Sequence, residues 1–98
     1  MPRPCKCRRI SCDPGSDYFK PRGVPLRGLE EVKLGLDELE AIRLADLEMM
    51  YQEDAAVKMG ISRQTFGNLI NSAHKKVADV LLNSKALKIT GGVVKKEE

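Results

Sequence analysis

Aromatic residues are scarce: Tyr18, Phe19, Tyr51 and Phe66 are the only four in 98 residues, and tryptophan is missing. The apolar content is carried by Ile, Leu, Val, Met and Ala. That mixture fits helices packed on helices better than a β-sandwich. Long hydrophobic runs are also lacking. No stretch approaches the roughly 18 apolar residues of a membrane span, and no signal peptide opens the chain. A soluble, cytoplasmic protein with no membrane contact is expected. Histidine occurs once, at His74, and no paired carboxylates flank a glycine-rich or nucleophile motif. Nothing there can carry out chemistry, so an enzyme is not expected.

Cysteine is limited to Cys5, Cys7 and Cys12. Three thiols crowded near one end do not make a disulfide framework. Their C-x-C-x₄-C spacing suggests a thiolate metal site, but zinc takes four ligands. His74 lies sixty-two residues past Cys12, and Asp13 is a poor substitute. No metal and no cofactor are expected.

What is present is charge, unevenly spread. Residues 1–28 hold seven Lys/Arg against two acids, residues 29–54 two against nine, and residues 55–98 eight against three. Two basic segments flank an acidic one, the pattern of a bipolar molecule with one face for a polyanion. The plainer alternative is that acids and bases pair within the fold.

All five prolines fall in residues 1–28, with the turns "DPGS" at 13–16 and "KPRG" at 20–23. This segment reads as an irregular basic arm in which regular helix is excluded. Tyr18-Phe19 is its one apolar anchor. Val32, Leu34 and Leu36 alternate in "EEVKLGL", as do Leu87 and Ile89 in "ALKIT". Two short strands there can pair as a ribbon tying the ends of the domain together.

Between them the pattern is helical. Asp37 with Glu40 forms a D-x-x-E capping box opening a helix over about 38–48, with Leu39, Ile42, Leu44, Ala45 and Leu47 on its apolar face. A second helix spans about 52–59, its first turn carrying Glu53 and Asp54 where the dipole favours anions. Gly60 ends it in the left-handed conformation, and Ser62 caps a third helix over about 63–82. The third helix has an apolar stripe of Phe66, Leu69, Ile70, Ala73, Val77, Val80 and Leu81. The expected fold is mainly α: a basic arm over 1–28, a helix-turn-helix domain over 29–90 and a tail over 91–98.

The helix-turn-helix reading rests on geometry. Ala56 is small enough for a close helix crossing, and Gly60 tolerates the tight reversal. Ala55, Met59, Ile61, Phe66 and Leu69 flank the turn on its inner side. With about 100° per residue and Phe66 at 0°, Gln64, Asn68, Asn71 and Lys75 all fall at about 140–200°, on the opposite face. Gly67 lies at about 100°, where a missing side chain permits close approach. Glutamine and asparagine can bond the N6/N7 edge of adenine, and Arg63 can reach guanine or phosphate. Thr65, Lys75 and Lys76 suit phosphates, and Ser62, with Arg63, Gln64, Asn68 and Asn71, faces bases or the adjacent backbone. No acid occurs between Gly60 and Val77, whereas ordinary solvated helices favour glutamate and lysine pairs. In "RPCKCRR", Arg3, Arg8 and Arg9 would add phosphate or minor-groove contacts; a merely solubilising tail is the alternative.

The stretch "LGLDELEAIRLADLEMMYQEDAAVKMGISRQTFGNLINSAHKKVADVLLNSKALKITGG", with "RP…CRR" and "YFKP" before it, resembles the bacterial and archaeal family called domain of unknown function 134. Its core "DELEAIRLAD…QEDAA…MGISRQTF" is also similar to region 4 of bacterial sigma factors. The resemblance implies a sigma-region-4-like helix-turn-helix and a role linked to transcription. Some relatives carry a further domain similar to dinitrogenase cofactor-binding proteins. The expectation is sequence-specific binding of double-stranded DNA in transcription regulation, with RNA polymerase or a second copy of the chain as further partners. Two rivals stay open: a protein-interaction module docking through the acidic first helix, and a metal- or redox-responsive regulator using the cysteines.

Overall fold

The computed structural model describes residues 8–10, 15–91 and 94–96, with side chains for Ile10 and for 15–91. Among the described residues, five strands and three helical stretches follow in chain order: β1 (Arg8–Ile10), β2 (Tyr18–Phe19), β3 (Glu31–Gly35), α1 (Leu36–Ile42, continuing as a π-helical turn over Arg43–Leu47), α2 (Gln52–Met59), α3 (Arg63–Asn83), β4 (Ala86–Thr90) and β5 (Val94–Lys96).

The pairing of 30–36 with 86–90 is present. β3 and β4 run parallel with Val32 opposite Leu87 and Leu34 opposite Ile89. The ribbon is wider than the alternation suggested, because Tyr18 and Phe19 add an antiparallel strand on the far side of β4. β1 and β5 form a separate parallel pair. Leu34 and Ile89 point inward and meet Ala73 of α3, joining sheet to helices.

The main core lies between the three helices, around Ala41, Leu44, Ala55, Ala56, Met59, Phe66 and Ile70. One further member comes from the arm: Ile10 is 1% exposed. It anchors the arm in the core, while Tyr18-Phe19 ties the arm to the domain through strand pairing with β4 and not through burial, since Phe19 is 51% exposed. A lone isoleucine among arginines and cysteines carries no periodicity from which its burial could be read.

The first helix starts two residues before the expected 38 and closes near the expected 48, but as a π-helical turn. It opens at Gly35, two residues before Asp37, and the Glu38 carboxylate accepts the Gly35 N–H at 2.8 Å. Asp37 instead sits inside the first turn, accepting the Glu38 N–H at 2.8 Å. Starting there lets Leu36 pack against both core clusters. At the far end the helix widens, with the Glu48 N–H bonding the Arg43 carbonyl at 2.9 Å. The extra residue per turn keeps Leu44 buried and turns Leu47 outward, 74% exposed. Leu47 is therefore not part of the helix's buried face.

The α2–α3 junction agrees with its sequence. Gly60 has φ 71° and ψ 33°, and the Ile61 N–H reaches the Ala56 carbonyl at 3.0 Å. Ser62 Oγ accepts the Thr65 N–H at 3.1 Å. The apolar stripe of α3 is buried only through Ala73. Val77 and Val80 are half-buried and Leu81 is 73% exposed, because the core does not extend under the last two turns.

Candidate nucleic-acid interface

α3 runs for 21 residues, about 31 Å at 1.5 Å per residue. Its inner side is fixed by Phe66, Ile70 and Ala73, all nearly inaccessible. That seating decides what faces outward. Arg63, Gln64, Asn68, Asn71 and Lys75 are all exposed. None of these five side chains makes a hydrogen bond or ion pair with another described residue, so their polar atoms are not used to hold the fold.

The other candidates separate from this group. Ser62 and Thr65 are occupied with each other: the hydroxyls lie 2.9 Å apart, in addition to the cap bond. Their fold role is to start α3 at the right residue. Lys76 turns away from the outer face. Its Nζ donates to Glu38 Oε1 at 2.7 Å, across to α1. Arg3 lies outside the described residues, as do Cys5, Cys7 and Cys12, and of Arg8 and Arg9 only the backbone of β1 is described. Among the described residues, no three His, Cys, Asp or Glu side chains gather as a metal site would require.

Glu38 is 6% exposed and binds three partners: Lys76, the Gly35 N–H, and Ser72 Oγ at 2.6 Å. Burial alone would raise its carboxyl, but the hydrogen bonds from Lys76, Ser72 and Gly35 outweigh it and hold the group below the usual carboxylate range. Glu40, 1% exposed, takes a two-pronged bond from Arg43, Nε to Oε1 and Nη2 to Oε2, both 2.9 Å. So two acids of the acidic segment are internal and neutralised, and the plainer reading of its charge holds for them. Asp46, Glu48, Glu53 and Asp54 remain exposed, among the exposed side chains of Leu47, Met49, Tyr51 and Val57. His74 Nε2 meets Asp46 Oδ2 at 2.7 Å, tying α3 to the π-helical turn. The histidine is a surface contact between elements.

One neighbour of the outer face was not legible in the sequence. Gln52, the first residue of α2, brings its Oε1 to within 3.5 Å of where a Cβ on Gly67 would stand. The sequence places Gln52 at a helix start, but only the α2–α3 crossing brings it beside Gly67.

Fold and face together define a class: a small, mainly helical domain with a minor sheet, whose last helix follows a tight turn and exposes an uncommitted polar face. The chain belongs to the family described as Protein of unknown function DUF134, whose model matches residues 1–97. It is 59% identical over 92 residues to a UPF0251 protein of Moorella thermoacetica, covering 94% of this chain and 62% of that protein. It is 53% identical over 96 residues to a UPF0251 protein of Prosthecochloris aestuarii, covering 98% and 62%. A UPF0251 protein of Dehalococcoides mccartyi is 57% identical over 93 residues, with 95% and 80% covered. The chain thus spans about three-fifths of the length of the first two of these curated relatives. No solved structure matches it. No helix among the described residues is long and apolar enough to cross a membrane.

Proposed function

We propose that this protein binds duplex DNA sequence-specifically, through a sigma-region-4-like helix-turn-helix formed by α2 and α3, and acts in transcription regulation. The observation that carries the reading is the outer face of α3: Arg63, Gln64, Asn68, Asn71 and Lys75, exposed, without an acid among them and without a hydrogen bond or ion pair to another described residue. In this reading the first turns of α3 enter the major groove, Gln64, Asn68 and Asn71 meet base edges, and Arg63 and Lys75 meet guanine or phosphate. Ser62 and Thr65 would act at the helix start, beside the adjacent backbone. Lys76, tied to Glu38, drops out of the contact set. Basic residues of the arm, Arg3, Arg8 and Arg9, would add affinity without specificity.

The test is fluorescence anisotropy with purified protein, on duplexes selected by the protein from a random pool and on unselected duplex. Binding should fall steeply with salt, with a log–log slope near −0.9 per neutralised phosphate. Selection should return a recurring sequence. A protein that binds no duplex at low salt is not a DNA-binding protein.

A second reading has its own support. Leu47, Met49, Tyr51 and Val57 are each 74–81% exposed amid Asp46, Glu48, Glu53 and Asp54. Such an apolar, acidic surface suits a protein partner better than DNA. On this reading the domain docks on the transcription machinery, and pull-down with RNA polymerase would separate the two.

A further inference from the structure

Gly67 stands in the second turn of α3, where glycine is the least suitable helix residue apart from proline. Two ordinary reasons for a glycine fail here. Its backbone is not left-handed, since the positive-φ glycines are Gly23, Gly28 and Gly60. Nor does packing forbid a side chain. A Cβ on Gly67 would meet only Gln52 Oε1, at 3.5 Å, an ordinary van der Waals contact. The fold would accept alanine there and gain from it.

The position gives the reason. Gly67 lies on the flank of α3, about 40° round the helix from Asn71, between the outer face and the buried side of Phe66. The exposed Gln52 of α2 stands across from it. A bare stretch of helix with an amide side chain for its far wall makes a shallow notch along one edge of the polar face.

Resting on the DNA-binding reading above, we infer that this notch seats a sugar-phosphate strand of the duplex beside the groove that α3 enters. Gly67 supplies the closeness of approach, and the Gln52 amide, whose Oε1 faces Gly67, supplies its Nε2 end as a neutral donor to a phosphate oxygen. Amide side chains are ordinary phosphate partners, and such contacts set register without reading sequence. Gln52 is thereby a positioning residue of the interface, contributed by the helix that does not enter the groove.

The experiment combines melting with anisotropy on selected and random-sequence duplexes of about two helical turns, for wild type, Gly67→Ala and Gln52→Ala. Gly67→Ala should raise Tm by about 4–8 °C, as a glycine-to-alanine change in a helix of a domain this size should. It should nonetheless weaken binding to both duplexes. Gln52→Ala should leave Tm nearly unchanged and weaken both duplexes alike, by about three- to tenfold, the worth of one hydrogen bond. If Gly67→Ala binds as wild type does, the notch holds no DNA and the inference fails while the DNA-binding reading stands. A fall in Tm for Gly67→Ala would assign the glycine to packing and also overturn it. If wild type itself binds neither duplex, the reading beneath the inference is what has failed.

Discussion

Lys75 and Lys76 adjoin in the chain, yet the fold gives them different surroundings. Lys75 is exposed on the outer face of α3; Lys76 is half-buried with its ammonium on Glu38. Lys75→Ala should therefore weaken binding to every duplex alike, with stability untouched. Lys76→Ala should leave DNA affinity nearly intact and lower stability by about 1 kcal/mol, read by urea unfolding. Gln64 and Asn68 should behave in a third way. Both are exposed and unpartnered, so alanine at either site folds normally and adds a few tenths of a kcal/mol, about the propensity difference. A bidentate amide–adenine contact is worth about 1–3 kcal/mol of discrimination. Each variant should thus lose about 5- to 150-fold on selected duplex and little on random duplex. Equal losses on both would show that neither side chain reads a base.

At the scale of elements, α1 and α3 are held together by a charge as well as by apolar packing. Glu38 sits at the start of α1 and gathers Lys76 and Ser72 from α3. Its carboxyl is held below its ordinary value of 4.5, so its contribution is complete above that pH and fades as pH falls below it toward the folded value. Tm should decline on that acid limb in wild type, and Glu38→Gln should have a lower Tm at pH 7 and a flatter acid limb. Asp79, half-buried and bonded by Asn83 and Lys85, titrates in the same sense and contributes to the background of that measurement. The end of α3 offers an opposite case, where stability is left unused. Ser84 closes the helix with φ 54° and ψ 47°, a conformation costly for any residue with a Cβ. Ser84→Gly should stabilise the domain by about 0.5–1 kcal/mol, raising the urea midpoint at constant m-value.

Across the whole molecule, the arm is part of the core. Ile10 belongs to the same buried cluster as Leu44 of the π-helical turn, Met59 of α2 and Phe66 of α3, and it joins them from a strand some thirty positions upstream of the first. Removing that side chain leaves a cavity in the main core cluster. Ile10→Ala should cost about 2–5 kcal/mol, a large share of the about 5–15 kcal/mol that a domain holds in total. Tm should fall by about 10 °C or more. A near-unchanged Tm would mean the arm merely rests on the surface. Because the arm carries both a core residue and basic residues, its electrostatic part is better probed by replacing Arg3 and Lys6 than by deleting residues 1–9. Deletion would also take Arg8 and Arg9, two of the three residues of β1.

By itself the sequence determined the helical elements and the turn between α2 and α3. Those features are local: Gly60 and Ser62 act on bonds within four residues, and the 3.6-residue periodicity of Phe66, Ile70 and Ala73 is set by one helix alone. The outer face of α3 was legible for the same reason, since fixing the buried side of a helix fixes the opposite side. Only the tertiary structure decided matters that depend on distance. The burial of Ile10, the third strand at Tyr18-Phe19, the capture of Lys76 by Glu38 and the approach of Gln52 to Gly67 each join residues at least fifteen apart. The outward turn of Leu47 is local but was still hidden, because a π-turn breaks the periodicity from which a buried face is read. A side chain's partner across the fold depends on how elements cross, and a crossing leaves no period in the chain.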